Sequence, residues 1–137
     1  MSREANKALV RRWVEEVVNK GNLAAIDELL ALDYLDHTNP PGWPLGREGH
    51  KQIIALYHTA FPDFRYTVEH AVAEGDMVVV RGSYDMTQEG EFFGIAPTGK
   101  QVTTTGMHLF RIADNKILEH WCNNDDLGVM RQLGVVS

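Results

Sequence analysis

Cysteine is almost missing from this chain. A single one, Cys122, stands among 137 residues, so no internal disulfide can form and a reducing compartment is expected. Long hydrophobic runs are also missing, and no stretch is apolar for long enough to span a bilayer. Positive charge is thin: 13 Lys and Arg against 19 Asp and Glu give a net charge of −6. Without a basic stripe or cluster, nucleic acid is not expected as a partner. The chain has no GxGxxG, no Walker loop, no HExxH and no CxxC, and its six histidines are scattered. The reading therefore expects no metal and no cofactor. Glu4, Glu15 and Glu16 interrupt the apolar positions near the N-terminus, so a signal peptide is not expected there, and the setting expected is cytoplasmic.

What is present is an ordinary globular composition over a length that suits one domain, 1–137. Leu9, Val10, Trp13, Val14, Val17 and Val18 recur at helical spacing, with Arg11, Arg12, Glu15 and Glu16 on the opposite side. This predicts an amphipathic helix ending near Gly21. A shorter helix is expected from Leu23 to about Leu32, then an extended piece around Asp33–His37. The loop Thr38–Gly46 carries three prolines, and a third helix follows over about Arg47–Ala60.

From Phe64 the period changes from helical to alternating. Glu74-Gly75-Asp76 reads as a hairpin turn, and Met77–Thr87 as the return strand. Gln101–Ala113 and Lys116–Asn124 form a second hairpin about Asp114-Asn115. A closing helical segment, Asp126–Leu133, stops at Gly134. Helices first and strands after predict an α+β domain. The expected form is a cone: one strongly curved antiparallel sheet, N-terminal helices packed on it, and an internal pocket.

Chemistry concentrates in the last hairpin. His108 shares a strand face with Phe110 and Ile112, and a histidine among apolar neighbours titrates near neutral pH or donates to a carbonyl oxygen. Unbroken alternation puts Trp121 on one face with Ile117, Glu119, Asn123 and Asp125, and turns His120 the other way. Trp121 then reads as pocket wall, where a flat ring stacks on a planar ligand. Asp125 has two readings that the residues leave open: a partly desolvated acid–base group, or the N-cap of the final helix. Glu119 reads as an ion-pair partner of Arg111 or Arg81. Trp43, His50, His58 and His70 read as loop or surface residues, and Cys122 as a small hydrophobe.

The strings FPDFRYTVEHAVAEGDMVVVRG, GIAPTGK, GMHLFRI and NKILEHWxxxDxLGVMRQLG together resemble the SnoaL-like polyketide cyclases of the nuclear-transport-factor-2-like superfamily. The resemblance spans nearly the whole chain. It implies a cofactor-independent intramolecular aldol ring closure on a polyketide ester, with an Asp as acid/base and an assisting His. The Asp falls on Asp125 and the His on His108, with His120 or His37 as alternatives. His37, Tyr34, Trp121, Phe110 and Asn123 are expected to contact a small apolar carbonyl ligand. A ketosteroid-isomerase-like enzyme, an epoxide hydrolase built on Asp36, Glu119 and Arg111, and a non-catalytic binder of hydrophobic ligands remain as alternatives. A homodimer is expected, paired through an outer sheet face carrying Val78, Val80, Leu118 and Cys122.

Overall fold

The computed structural model describes residues 2–137. The Ser2 hydroxyl accepts from the Ala5 N–H at 3.0 Å and so caps the first helix. Helix α1, Arg3–Arg12, passes unbroken into a π-helical stretch, Trp13–Asn19. Leu9, Val10, Trp13, Val14, Val17 and Val18 are all buried, as their spacing predicts. Gly21, at a φ of 66°, ends this rod in a conformation that glycine adopts readily. Helix α2 covers Leu23–Leu29, and strand β1 starts immediately after it, at Leu30–Asp36. The expected helix end near Leu32 is therefore too late. Leu30, Tyr34 and Asp36 turn inward in strand alternation, which a pairing partner far along the chain imposes.

Helix α3, Arg47–Ala60, matches its expected bounds. Strands β2 (Arg65–Glu74), β3 (Met77–Thr87), β4 (Gln101–Ala113) and β5 (Lys116–Asn124) follow, then helix α4 (Asp126–Leu133). The strand order is β1-β5-β4-β3-β2, and the sheet is open. Three of its pairings are antiparallel, whereas β1 runs parallel to β5. The sheet is thus mixed rather than wholly antiparallel. No hairpin ties β1 to β5, so nothing local fixes their relative direction. The hairpin at Asp114-Asn115 puts both residues at positive φ, 51° and 58°, as a two-residue turn of this kind requires.

Between the sheet and the helices lies the core, centred on Trp13, Ile26, Phe61, Tyr66, Phe110 and Ile117. The inner face takes Val78, Val80, Tyr84 and Met86 from β3 and Thr104, His108, Phe110 and Ile112 from β4. Val78 and Val80 therefore do not form the outer face, contrary to expectation; Met77, Val79, Met107 and Leu109 alternate with the inward set. Gly82 and Gly106 face each other across β3 and β4. A Cβ on Gly82 would lie 2.2 Å from the Thr67 carbonyl oxygen, and the Tyr66 hydroxyl reaches the Gly106 carbonyl at 2.9 Å. No helix among the described residues is long and apolar enough to cross a membrane.

Candidate functional site

A cavity of about 340 Å³ opens between the inner sheet face and the helices. Most of its wall is apolar, with Ile53, Ile54, Tyr57, Phe64 and Met86 among the contributors. Its polar end is built from Asp36, His50, His108, His120, Cys122 and Asn124. The π-helical stretch contributes Trp13 and Val18 to the same wall, consistent with the tendency of such turns to gather at functional sites.

One side chain from each of four adjacent strands joins a continuous hydrogen-bonded chain. Asp36 on β1 meets His120 Nδ1 on β5 at 2.9 Å. The other ring nitrogen of His120, Nε2, meets His108 Nδ1 on β4 at 2.9 Å. His108 Nε2 then meets the Tyr84 hydroxyl on β3, which also lies 3.1 Å from Asn124 Oδ1. Both ring nitrogens of His108 are thus engaged by protein groups. Gly106 makes this closure possible, because a Cβ there would come within 1.9 Å of Asn124 Oδ1.

Asp36 anchors the chain. Its Oδ2 accepts from the Tyr34 hydroxyl at 2.8 Å, and its Oδ1 from the Thr38 N–H at 2.9 Å. Burial alone would push this carboxyl up, but the hydrogen bonds from His120 and His50 outweigh it and hold the group well below the ordinary carboxylate range. His50 lies on α3, with its Nε2 accepting from the Trp13 indole N–H at 3.0 Å. A neutral His50 therefore carries its proton on Nδ1, which stands 3.4 Å from the Tyr34 hydroxyl and 3.8 Å from Asp36 Oδ2. Burial lowers the proton affinity of both His50 and His108, and for His108 the neighbouring His120 and His50 lower it further. Burial also keeps the Tyr84 phenol protonated well past its usual range.

Two groups of ligating atoms come within 4.8 Å of one another: Asp36, His50 and His120, and His108, His120 and Cys122. Spacing along the chain could not reveal either, since each draws on separate strands or a helix. In both groups the ring and carboxylate atoms are accounted for by the hydrogen bonds just described. Cys122 Sγ lies 3.5 Å from the Thr38 hydroxyl, and burial pushes its thiol up.

The expected site residues divide between the two faces of the sheet. His108 lies on the cavity wall, buried and inward as read. Tyr34 and Phe110 are buried behind that wall: Tyr34 supports Asp36, and Phe110 packs edge-on to Trp13 with ring centres 4.9 Å apart. Asp125 is exposed and off the cavity, with its Oδ1 accepting from the Gly128 N–H at 2.9 Å as the cap of α4. The capping reading thus describes its geometry. The neighbouring Asp126 is exposed as well but reaches the cavity wall, and desolvation there and the charge of Asp125 raise its carboxyl.

Trp121, Asn123 and His37 point to the outer face. His37 stacks on Trp121 with ring centres 4.5 Å apart and an 8° tilt, and its Nε2 lies 2.8 Å from Glu119. Glu119 also pairs with Arg111 at 2.9 Å, as expected, and Arg111 continues to Asp76 at 2.9 Å. A bulge at Leu118 reverses the expected sidedness. Ile112 pairs Ile117 while Arg111 pairs Glu119, so Leu118 is an extra residue on β5. Ile117 stays inward, and beyond the bulge the inward positions become His120, Cys122 and Asn124. The epoxide-hydrolase arrangement is not assembled, because Asp36 lies inside while Glu119 and Arg111 lie outside.

Sequence reasoning missed His50, Tyr84 and the central place of His120 and Asp36. Tyr84 carried a signal in the inward alternation Val78, Val80, Gly82, Tyr84. His50 carried none, since its burial depends on how α3 docks.

The comparisons with known proteins agree with this architecture. The family model of the SnoaL-like polyketide cyclases matches residues 8–133, so the chain belongs to that family. It is 31% identical to the aklanonic acid methyl ester cyclase DnrD of Streptomyces peucetius over 131 residues, which cover 92% of this chain and 88% of that protein. With the nogalonic acid methyl ester cyclase of Streptomyces nogalater it shares 29% identity over 118 residues, covering 85% and 88% of the two chains. Among solved structures, TsrD from Streptomyces laurentii superposes with a TM-score of 0.90 at 27% identity, covering 99% of both chains. IdmH from Streptomyces antibioticus does so with a TM-score of 0.82 at 32% identity, covering 94% of this chain and 98% of that one.

Proposed function

We propose that this cavity carries out cofactor-independent acid–base chemistry on a small, largely apolar carbonyl compound, an intramolecular aldol ring closure like that of the ester cyclases it resembles. The observation that carries this reading is a buried Asp36–His120–His108–Tyr84 chain ending on the wall of a mostly apolar cavity. Aldol closure needs a base for the α-proton and a donor for the oxygen of the attacked carbonyl. Asp126 takes the first role: although exposed as a whole, it is the carboxylate at the cavity wall outside the histidine chain, and desolvation and the charge of Asp125 raise its carboxyl, which favours it as a base. The chain ending at His108 and Tyr84 takes the second. The apolar wall folds the guest so that its reacting carbons meet.

The reading is tested by hydrogen–deuterium exchange α to the carbonyl in a series of β-keto esters. Asp126→Asn should slow exchange by roughly 10² or more, on the scale of a positioned general base. Asp125→Ala should keep it. Exchange that survives Asp126→Asn and disappears with Asp125→Ala would return the base to Asp125. No exchange with any ester favours a binding protein. The same reading has the protein cytoplasmic and paired through its outer sheet face, where Met107 is 46% exposed. A monomeric mass by light scattering counts against the pairing.

A further inference from the structure

We infer that Tyr84 is the catalytic residue that touches the substrate oxygen, and that Asp36, His120 and His108 form a proton store discharged through it. This deepens the reading above and rests on it. The reasoning starts from a count of protons. The Tyr84 hydroxyl has one proton but two neighbours, His108 Nε2 and Asn124 Oδ1 at 3.1 Å. If His108 carries its proton on Nδ1, toward His120, both neighbours of Tyr84 are acceptors, and one is left without a protein donor in a partly buried site. With the Asn124 amide oriented as here, its Nδ2 toward Cys122 Sγ at 3.9 Å and its Oδ1 toward Tyr84, the conflict vanishes if the chain holds one more proton. His120 is then protonated on both nitrogens, donating through Nδ1 to Asp36 and through Nε2 to His108 Nδ1. His108 donates through Nε2 to the Tyr84 oxygen, and Tyr84 donates to Asn124.

Every donor then meets an acceptor: both ring contacts of His120 span 2.9 Å, and His108 Nε2 lies within hydrogen-bond reach of the Tyr84 oxygen. The extra positive charge sits beside Asp36, which three further donors fix as a carboxylate: the Tyr34 hydroxyl, the Thr38 N–H and the Thr38 hydroxyl. The other titratable groups that face His120 are His50 from α3, His108 from β4 and Cys122 on its own strand.

Discharge follows without movement of heavy atoms within the chain. When the attacked carbonyl becomes an alkoxide, Tyr84 turns its O–H from Asn124 to that oxygen and gives up the proton. The His108 Nε2 proton passes to the Tyr84 oxygen, and the His120 Nε2 proton passes to His108 Nδ1. The alkoxide has become a hydroxyl, Tyr84 is a phenol again, and both histidines are neutral. The cycle closes when the proton taken by Asp126 returns to the chain through solvent at the cavity mouth. His108 offers the guest no free ring nitrogen, since both face protein groups, so it and His120 are positioning residues.

The test is nitrogen-15 NMR of the imidazole rings in the full chain at neutral pH, with the histidines assigned by substitution. The expected result is His120 protonated on both nitrogens and His108 carrying its proton on Nε2. In Asp36→Asn, His120 should lose one proton and His108 should switch to the Nδ1–H form. A neutral His120 or an Nδ1–H His108 in the wild type overturns the store. If Asp36→Asn does not fold, the wild-type spectrum alone decides.

The outlet is tested with 2-naphthol, a planar hydroxyl probe for the carbonyl oxygen position. Tyr84→Phe should weaken its binding about tenfold or more, and unchanged affinity overturns the role of Tyr84. Neither measurement needs turnover. A charged store in a protein that exchanges no β-keto ester removes the aldol reading and leaves the store. Exchange with a neutral His120 does the reverse.

Discussion

The two faces of one strand pair carry the same chemistry in opposite settings. Inside, Asp36 on β1 meets His120 on β5 at 2.9 Å; outside, His37 on β1 meets Glu119 on β5 at 2.8 Å. The four residues are sequence neighbours two by two, and each face has one carboxylate and one imidazole. The inner pair is sealed, with Asp36 at 3% and His120 at 5% exposure, and it feeds a chain of further partners. The outer pair is open to solvent and continues into a surface array through Arg111 to Asp76. Water screens the outer charges and can replace either partner. The inner ones have only each other, so geometry there becomes mandatory.

The largest expected effect breaks this contrast directly. Asp36→Ala leaves the imidazoles without their carboxylate in a dry site and should cost about 3–5 kcal/mol in urea unfolding. Glu119→Ala should leave the unfolding midpoint where it is. Equal losses at the two positions would mean that burial is not what separates the faces.

Acid should act next, and mainly through the inner face. His50 and His108 have folded-state proton affinities below the unfolded value of 6.5. Between the folded and unfolded values the unfolded chain binds more protons, so stability rises with pH there and falls as pH drops below 6.5. Each histidine contributes a slope of up to about 1.4 kcal/mol per pH unit. Asp36 is depressed instead, so its contribution is present above the unfolded value of 3.8 and is lost progressively as pH falls below it. Denaturant midpoints measured from pH 8 to 3 should therefore begin to fall near 6.5 and steepen below 4. A flat profile down to pH 4.5 would contradict the burial of the two histidines.

Two neighbours on β4 give a finer comparison. Gly106→Ala drives a methyl group into Asn124 and the Tyr84 ring and should cost about 1–3 kcal/mol. Met107→Ala, one residue on and 46% exposed, should stay within about 0.5 kcal/mol. Weakened 2-naphthol binding in Gly106→Ala, with none in Met107→Ala, would tie Asn124 to the site. Asp125→Ala should cost about 1 kcal/mol from the lost helix cap.

Much of the fold was legible from the residues. The apolar spacing from Leu9 to Val18, the change of period at Phe64 and the turn at Asp114-Asn115 are local signals, and each fixed an element. The parallel partnership of β1 and β5 was not legible, because its two strands are far apart in sequence and no turn joins them. The site was legible only in part. His108 lies where alternation placed it. Trp121, Asn123 and His37 lie on the opposite face because one extra residue, Leu118, resets the phase of β5. Asp125 kept the role that its position before a helix gives any aspartate, and Asp126 took the place at the cavity.

By itself the sequence determined the family, through the match of residues 8–133 to its model, and the helix-then-strand order and the residues able to form a core, which follow from composition and from periods of 3.6 and 2. The tertiary structure decided which acid meets which histidine. A bulge in one strand and the docking of one helix choose the face and the depth of a side chain. Depth then decides whether an aspartate–histidine pair is a screened surface contact or the head of a buried proton chain.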